Sequence, residues 1–219
     1  MPGRAIVDLG QLTGWLPATD GARNRQDDLT RCLDAACDRI ERKCCQRFLS
    51  NAYSAWHSGD RAVGKSRELL YLADPETGWA TRRVTAITEL TEDGAELPII
   101  LLPDATTFAD GEAAVVYAAQ GKILRALVDA GKIVPKPWAY GVANIHVAYT
   151  AGYELADVPD DLRQLAIELA LLYFREGARQ GQTSLNVEGV SLGYERLLRP
   201  EMRDVLRSYW QPVPQTAER

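Results

Sequence analysis

The stretch from Asp157 to Gly177, DVPDDLRQLAIELALLYFREG, constrains the fold of this chain more than any other. Leu162, Leu165, Ala166, Leu169, Ala170, Leu172 and Tyr173 fall three and four residues apart, the spacing of a broad apolar helix face. Pro159 suits a first helical position, and Asp160 and Asp161 stand beside the positive end of the dipole. Arg175 and Gly177 mark the end, glycine being able to take the left-handed conformation that closes a helix. So wide an apolar face is not stable alone, and a second apolar surface must cover it.

The best partner is a helix from Gln26 to about Phe48. Its apolar stripe is Leu29, Cys32, Leu33, Ala36, Cys37, Ile40 and Cys44. Asp27 and Asp28 fall in its first turn and Arg42, Lys43 and Arg47 in its last, each sign placed to suit the macrodipole. Residues 5–16, AIVDLGQLTGWL, read as a short helix with Ile6, Leu9, Leu12, Trp15 and Leu16 on one side, stopped by Pro17. A last short helix, PEMRDVLRSYW, starts at Pro200 and carries Met202, Val205, Leu206 and Tyr209 on one side.

Between the helical ends the pattern changes. LLYLA, RRVTAITEL, LPIILL, AAVVYAA and ANIHVAYT are short and rich in Val, Ile, Tyr and Thr, and turn clusters such as DPETG, EDG and PDATTFADG separate them. An antiparallel β-rich insertion is expected over 51–150. KILRALVDAG, 122–131, has an ambiguous period and reads as a helical turn or two. After the long helix comes a Gly-rich connector, with a short extended segment around Leu185 to Leu192. The expected class is therefore α+β, with antiparallel-packed helices from the two ends of the chain and a β-rich insertion between them. Residues 1–50 and 151–210 form the two helical parts of the core, and 211–219 a flexible tail.

A chain of 219 residues with 46% hydrophobic and 25% charged residues reads as globular. A net charge of −5 argues against a protein that coats duplex DNA, which needs a basic surface to displace phosphate counterions. No apolar run reaches the ~20 residues that span a bilayer. The opening MPGRAIVDLGQ lacks the apolar core of a signal peptide, so a protein made and kept in a cytoplasm is expected.

Gly59 to Ser66, GDRAVGKS, satisfies the phosphate-binding pattern G-x-x-x-x-G-K-S and supports an alternative reading as a nucleotide-binding protein. Such a loop needs a buried strand before it and a helix after it, because the helix N-terminus supplies part of the phosphate site. NAYSAWHS is not a continuous apolar strand, and RELLYLADPETG reaches a turn within a few residues, which favours a Gly-rich hairpin loop with Lys65 exposed. Cys32, Cys37, Cys44 and Cys45 lack paired C-x-x-C spacing, so buried thiols are expected rather than a zinc site. His57 and His146 are the two histidines, and no nucleophile elbow or H-E-x-x-H pair accompanies them. Asp160 and Asp161 are explained by a helix start. No residue pattern positions a reaction.

Taken in order, the pieces resemble the head-tail connector (adaptor) proteins of long-tailed bacteriophages, prophages and gene transfer agents. The carrying stretches are GWL (14–16), the helix DDLTRCLDAACDRIERKCCQRF, and above all NIHVAYTAGYELADVPDDLRQLAIELALLYFREG followed by LLRPEMRDVLRSYW. YTAGY before a Val-Pro and an Asp-Leu-Arg helix is the most specific run, and IERKCCQRF is similar to the family's Ile-Glu-x-x-Cys-x-x-Arg-Phe helix ending. The resemblance covers the helical ends, roughly half of the chain.

It implies a structural protein, not an enzyme, with no cofactor. Family members assemble as a ring, usually of twelve copies, beneath the portal at the capsid vertex. The ring continues the DNA channel, without sequence-specific binding, and carries the next neck, stopper or tail component. The expected location is the virion neck, reached from the host cytoplasm during assembly, with no membrane partner. In such a family the tail end, with Tyr209 and Trp210 followed by Pro212, Val213 and Pro214, is a candidate portal-binding segment.

Overall fold

A computed structural model describes residues 5–16, 25–59, 68–102, 109–177, 186–187, 190–191 and 199–210. The class is α+β, as the sequence predicts, and the chain divides into two compact units. One joins residues 1–44 to 155–210. The other is 45–154.

The first unit is helical. Helices α1 (Leu9–Gly14), α2 (Gln26–Cys44), α3 (Asp160–Gly177) and α4 (Pro200–Tyr209) build it. α2 and α3 cover each other's apolar faces, as α3's width demanded: Leu29, Leu33, Ala36, Ile40, Leu162, Ala166, Leu169 and Ala170 are fully or almost fully buried. They run antiparallel. Arg25, just ahead of α2, lies over the Phe174 ring near the end of α3, 5.0 Å from its centroid. At the opposite end the Cys44 thiol approaches the Leu206 carbonyl, while Tyr209 reaches Asp161 at the start of α3.

Several boundaries differ from the sequence reading. α2 stops at Cys44 rather than near Phe48, because Cys45 takes a left-handed conformation with φ 52° that ends the helix. Pro159 stands one position before the first helical residue, its carbonyl accepting the Arg163 N–H at 3.1 Å. The buried face of α3 includes Ile167, Leu171 and Phe174, while Leu172 and Tyr173 are only half-buried. α1 spans six residues, capped at Asp8, whose side chain accepts the Gly10 N–H. Ile6, Val7, Leu12 and Leu16 are buried, but Trp15, expected on the same side, is 57% exposed. Of the cysteines, Cys37 and Cys44 are buried and Cys32 is intermediate. Burial pushes the Cys37 thiol up to about 12, so at neutral pH it is a small hydrophobe, not a thiolate ligand. Asn186–Val187 and Val190–Ser191 pair antiparallel inside the extended segment expected there.

The second unit is built from two sheets. β1 (Asn51–His57), β3 (Val84–Glu92), β4 (Ala95–Glu96) and β9 (Ile145–Ala151) form one, in the order β1-β9-β3-β4 and all antiparallel. The other contains β2 (Leu69–Tyr71), β5 (Ile99–Leu102), β6 (Gly111–Tyr117), β7 (Lys122–Asp129) and β8 (Lys132–Pro135). Its pairing departs from the antiparallel expectation at one place, where β5 runs parallel to β6. KILRALVDAG is the second correction: Lys122–Asp129 is a strand bonded to β6, β2 and β8, and the positive φ of Ala130 and Gly131 turns it into β8. Side chains from both sheets meet in one core of Tyr53, Leu70, Leu72, Val84, Leu90, Ala114, Val116, Ile123, Ile145, Val147 and Tyr149, with Trp138 from the loop after β8.

The ends of this unit are stapled to each other. Tyr153 donates its N–H to the Phe48 carbonyl at 2.7 Å and accepts from the Ser50 N–H at 2.8 Å. Two chain crossings so fastened let an excursion of about a hundred residues leave and re-enter the chain at one place.

Candidate functional site

The end of α4 is where the sequence places its candidate contact residues. Pro200 opens this helix at N1, and Met202 and Leu206 are its buried side chains. On the next turn the Tyr209 hydroxyl donates to both carboxylate oxygens of Asp161, at 2.8 and 3.1 Å. A charge-assisted bond of this kind fixes the last turn of α4 on the first turn of α3. Trp210 follows in extended conformation, φ −63° and ψ 135°, and is 56% exposed. The structure therefore splits the proposed set. Tyr209 is a fixed anchor, Trp210 an exposed indole just after it, and Pro212, Val213 and Pro214 lie outside the described residues.

Asp161 serves twice here. Its Oδ1 also accepts the Leu162 N–H at 2.8 Å. The helix-start reading of the acidic pair holds, and the tyrosine bond adds a tether that no local pattern announces. Arg163 continues the same corner, its guanidinium donating to the Leu155 and Ala156 carbonyls. A cleft of about 510 Å³ along α2, lined by Ala35, Asp38, Arg39, Arg42 and Lys43, gathers the cations that the helix C-terminus favours.

The phosphate-loop pattern is only partly visible, since Asp60 to Ser66 lie outside the described residues. Its flanks are informative. β1 before it pairs antiparallel with β9, and β2 starts at Leu69, three residues after Ser66, pairing antiparallel with β7. A nucleotide loop needs a helix at that point, whose N-terminus would face the phosphates. Gly59 itself has another task. A Cβ there would stand 1.7 Å from the Ala139 carbonyl oxygen, and its N–H donates to Asn144 Oδ1 at 2.9 Å. That glycine is required by the close approach of 139–144 to the end of β1.

One constellation escapes the sequence reading. On the open face of the first sheet, His146 bridges Ser54 and Glu89, with Nε2 2.9 Å from Ser54 Oγ and Nδ1 3.2 Å from Glu89 Oε1. Trp56 covers the imidazole, ring centroids 4.6 Å apart, and is itself 64% exposed. The three residues come from β1, β3 and β9, and alternation along β1 puts Ser54 and Trp56 on one face. Hydroxyl, imidazole and carboxylate in line are the parts of a hydrolytic relay. Such a relay also needs N–H groups converging on an oxyanion. Ser54 sits mid-strand, where successive N–H groups point to opposite edges, so the trio is a polar strut across three strands. Among the described residues no group of three His, Cys, Asp or Glu side chains is placed to hold a metal ion.

No family model and no curated protein matches the chain. Solved structures do. A chain of the virion of a native gene transfer agent particle aligns over 97% of this chain and 92% of its own, with a TM-score of 0.53 and 17% identity. Chains from the neck of the native particle, computed with C12 symmetry, and from the neck of the empty particle, computed with C6 symmetry, align over 96% of this chain. They cover 91% and 92% of those chains, at TM-scores of 0.47 and 0.48 and identities of 18% and 19%. The chain thus has a fold found in the virion of a gene transfer agent particle, the kind of particle to which its resemblance to head-tail connectors pointed.

Proposed function

We propose that the protein is the head-tail connector, or adaptor, of a phage-type particle, a structural part of the virion neck with no chemistry of its own. The observation that carries this reading is the alignment with a gene transfer agent virion chain over 97% of this chain and 92% of that one, at a TM-score of 0.53. Copies assemble as a ring, twelve being the number usual in the family, beneath the portal. The ring prolongs the DNA channel and receives the next neck or tail component. Its acidic balance, −5, suits a passage through which DNA slides, because strong phosphate contacts would brake it.

In this reading the chain end from Trp210 through Pro212, Val213 and Pro214 docks on the portal, with Tyr209 fixing the point of departure. An aromatic anchor held beside a proline-rich segment loses little entropy on docking. Co-sedimentation with purified portal tests both levels. The full chain is expected to bind, and deletion of 211–219 to weaken binding by about tenfold or more, the loss of a typical interface anchor. A full chain that ignores portal would sink the connector reading, whereas a deletion variant that binds like the parent would remove only the tail.

A further inference from the structure

Tyr140 and Val142 are the most exposed large apolar side chains among the described residues, at 74% and 79%. They stand two apart in the loop 136–144 between β8 and β9, and that loop is fastened from several sides. Trp138 is buried and donates its Nε1–H to the Glu68 carbonyl at 3.1 Å. The Ala139 N–H goes to Glu92 Oε1 and the Ala143 N–H to Ser58 Oγ, at 2.6 and 2.9 Å. Asn144 ties the tip together: its Nδ2 donates to the Ala139 carbonyl and to Asp93 Oδ1, both at 3.1 Å, and its Oδ1 accepts the Gly59 N–H. Gly141 leaves room for that amide, since a Cβ there would stand 2.7 Å from Asn144 Cγ. Ala143 is held at a left-handed φ of 49°. Backbone strain and rigid exposure of an aromatic and an aliphatic side chain occur together where a loop is built for contact, because little freedom is left to lose on docking.

The helical unit offers a surface of matching character. The cleft of about 510 Å³ along α2, of ordinary size for a ligand pocket, is lined by Ala35, Asp38, Arg39, Arg42 and Lys43, three cations against one carboxylate. Long cationic side chains receive aromatic rings on their apolar stems and charged ends. The chain uses that chemistry repeatedly within itself, with Arg25 over Phe174, Arg47 over Trp79, Arg83 over Tyr153 and Lys122 over Tyr71. In the cleft itself, Arg39 Nη1 donates to the Tyr173 hydroxyl at 3.2 Å. The loop brings the opposite charge, since Asp93 is exposed beside the tip and bonded there to the neutral Asn144 amide.

We infer that Tyr140 and Val142 of one copy enter the α2 cleft of the next, with the phenol ring against Arg42 and Lys43 and Asp93 facing the same cations. The inference rests on the ring reading above. A ring needs a heterologous contact, in which each copy offers two different surfaces. The tip lies in the β unit and the cleft in the helical unit, and the two are complementary in charge.

Photocrosslinking tests this on the full chain. Tyr140→p-benzoylphenylalanine changes an exposed side chain and leaves every bond that fastens the loop in place. Mixed with purified portal and irradiated, this variant is expected to give covalent dimers whose adduct maps by mass spectrometry to residues 35–43. Adding Arg42→Glu with Lys43→Glu is expected to lower the dimer yield about tenfold, with circular dichroism confirming that α2 still folds. The map needs no change to the cleft, so it decides the matter even where charge reversal disturbs the helix. Rings on the portal whose adducts fall outside α2, or a folded charge-reversed variant with undiminished yield, would overturn the tip-in-cleft contact and leave the ring reading standing. A portal left bare by the unmodified chain would overturn both.

Discussion

Replacing Arg125 with methionine is expected to destabilise the β unit by roughly 3–5 kcal/mol, the usual cost of removing one partner from a buried ion pair. Arg125 is 8% exposed in the middle of β7. Its Nε donates to Glu92 Oε2 and its Nη2 to Glu112 Oε2, both at 2.7 Å. Burial works against the guanidinium charge, but the bonds to Glu92 and Glu112 outweigh it and hold the pKa above its ordinary value. Glu112 is in turn held below the usual carboxylate range, chiefly by Lys136 and then by Arg125. Glu92, 6% exposed, has no water to fall back on once the arginine is gone.

The second substitution should distinguish charge from packing. Glu92 Oε1 accepts the Ala139 N–H at 2.6 Å, so Glu92→Gln keeps an acceptor for that amide while removing the charge. Arg125→Met combined with Glu92→Gln is expected to recover about half of the loss, since no uncompensated charge remains. Urea unfolding followed by circular dichroism measures both. A double variant as unstable as the single one would place the effect in packing instead.

Gly152→Ala is expected to cost roughly 3 kcal/mol or more, combining backbone strain with a steric clash. Gly152 is the glycine of YTAGY and has φ +116°, a conformation that residues with a side chain scarcely enter. A Cβ there would stand 2.5 Å from the Leu49 carbonyl oxygen and 2.7 Å from the Ser50 nitrogen, and backbone atoms cannot swing aside. The neighbouring bonds from Tyr153 to Phe48 and Ser50 staple the two ends of the β unit, so the strain falls on the place where the chain leaves and re-enters. The same urea experiment reads it, and a loss below about 1 kcal/mol would show that the backbone relaxes there at little cost.

That glycine illustrates what the sequence makes legible. YTAGY stands out as a pattern, yet the reason for it is a contact with Leu49, a hundred residues earlier. The helices were readable because a 3.6-residue period is local: Leu162, Leu165, Ala166 and Leu169 predict both the helix and its burial. Ile123, Leu124, Ala126, Leu127 and Val128 fit a helix as well as a strand, and pairing with β6 decides between them. The parallel pairing of β5 with β6 and the left-handed Cys45 that ends α2 have no local signal at all. The candidate site divides in the same way. Tyr209 is visible as an aromatic residue near a proline-rich end, but its tether to Asp161 spans 48 residues, and Ser54, Glu89 and His146 meet only when three strands are side by side.

The most direct test of the connector reading is electron microscopy of the purified protein mixed with portal. Rings stacked coaxially on the portal, with a continuous central channel, are the predicted result. Portal particles left bare while the protein stays monomeric would contradict it.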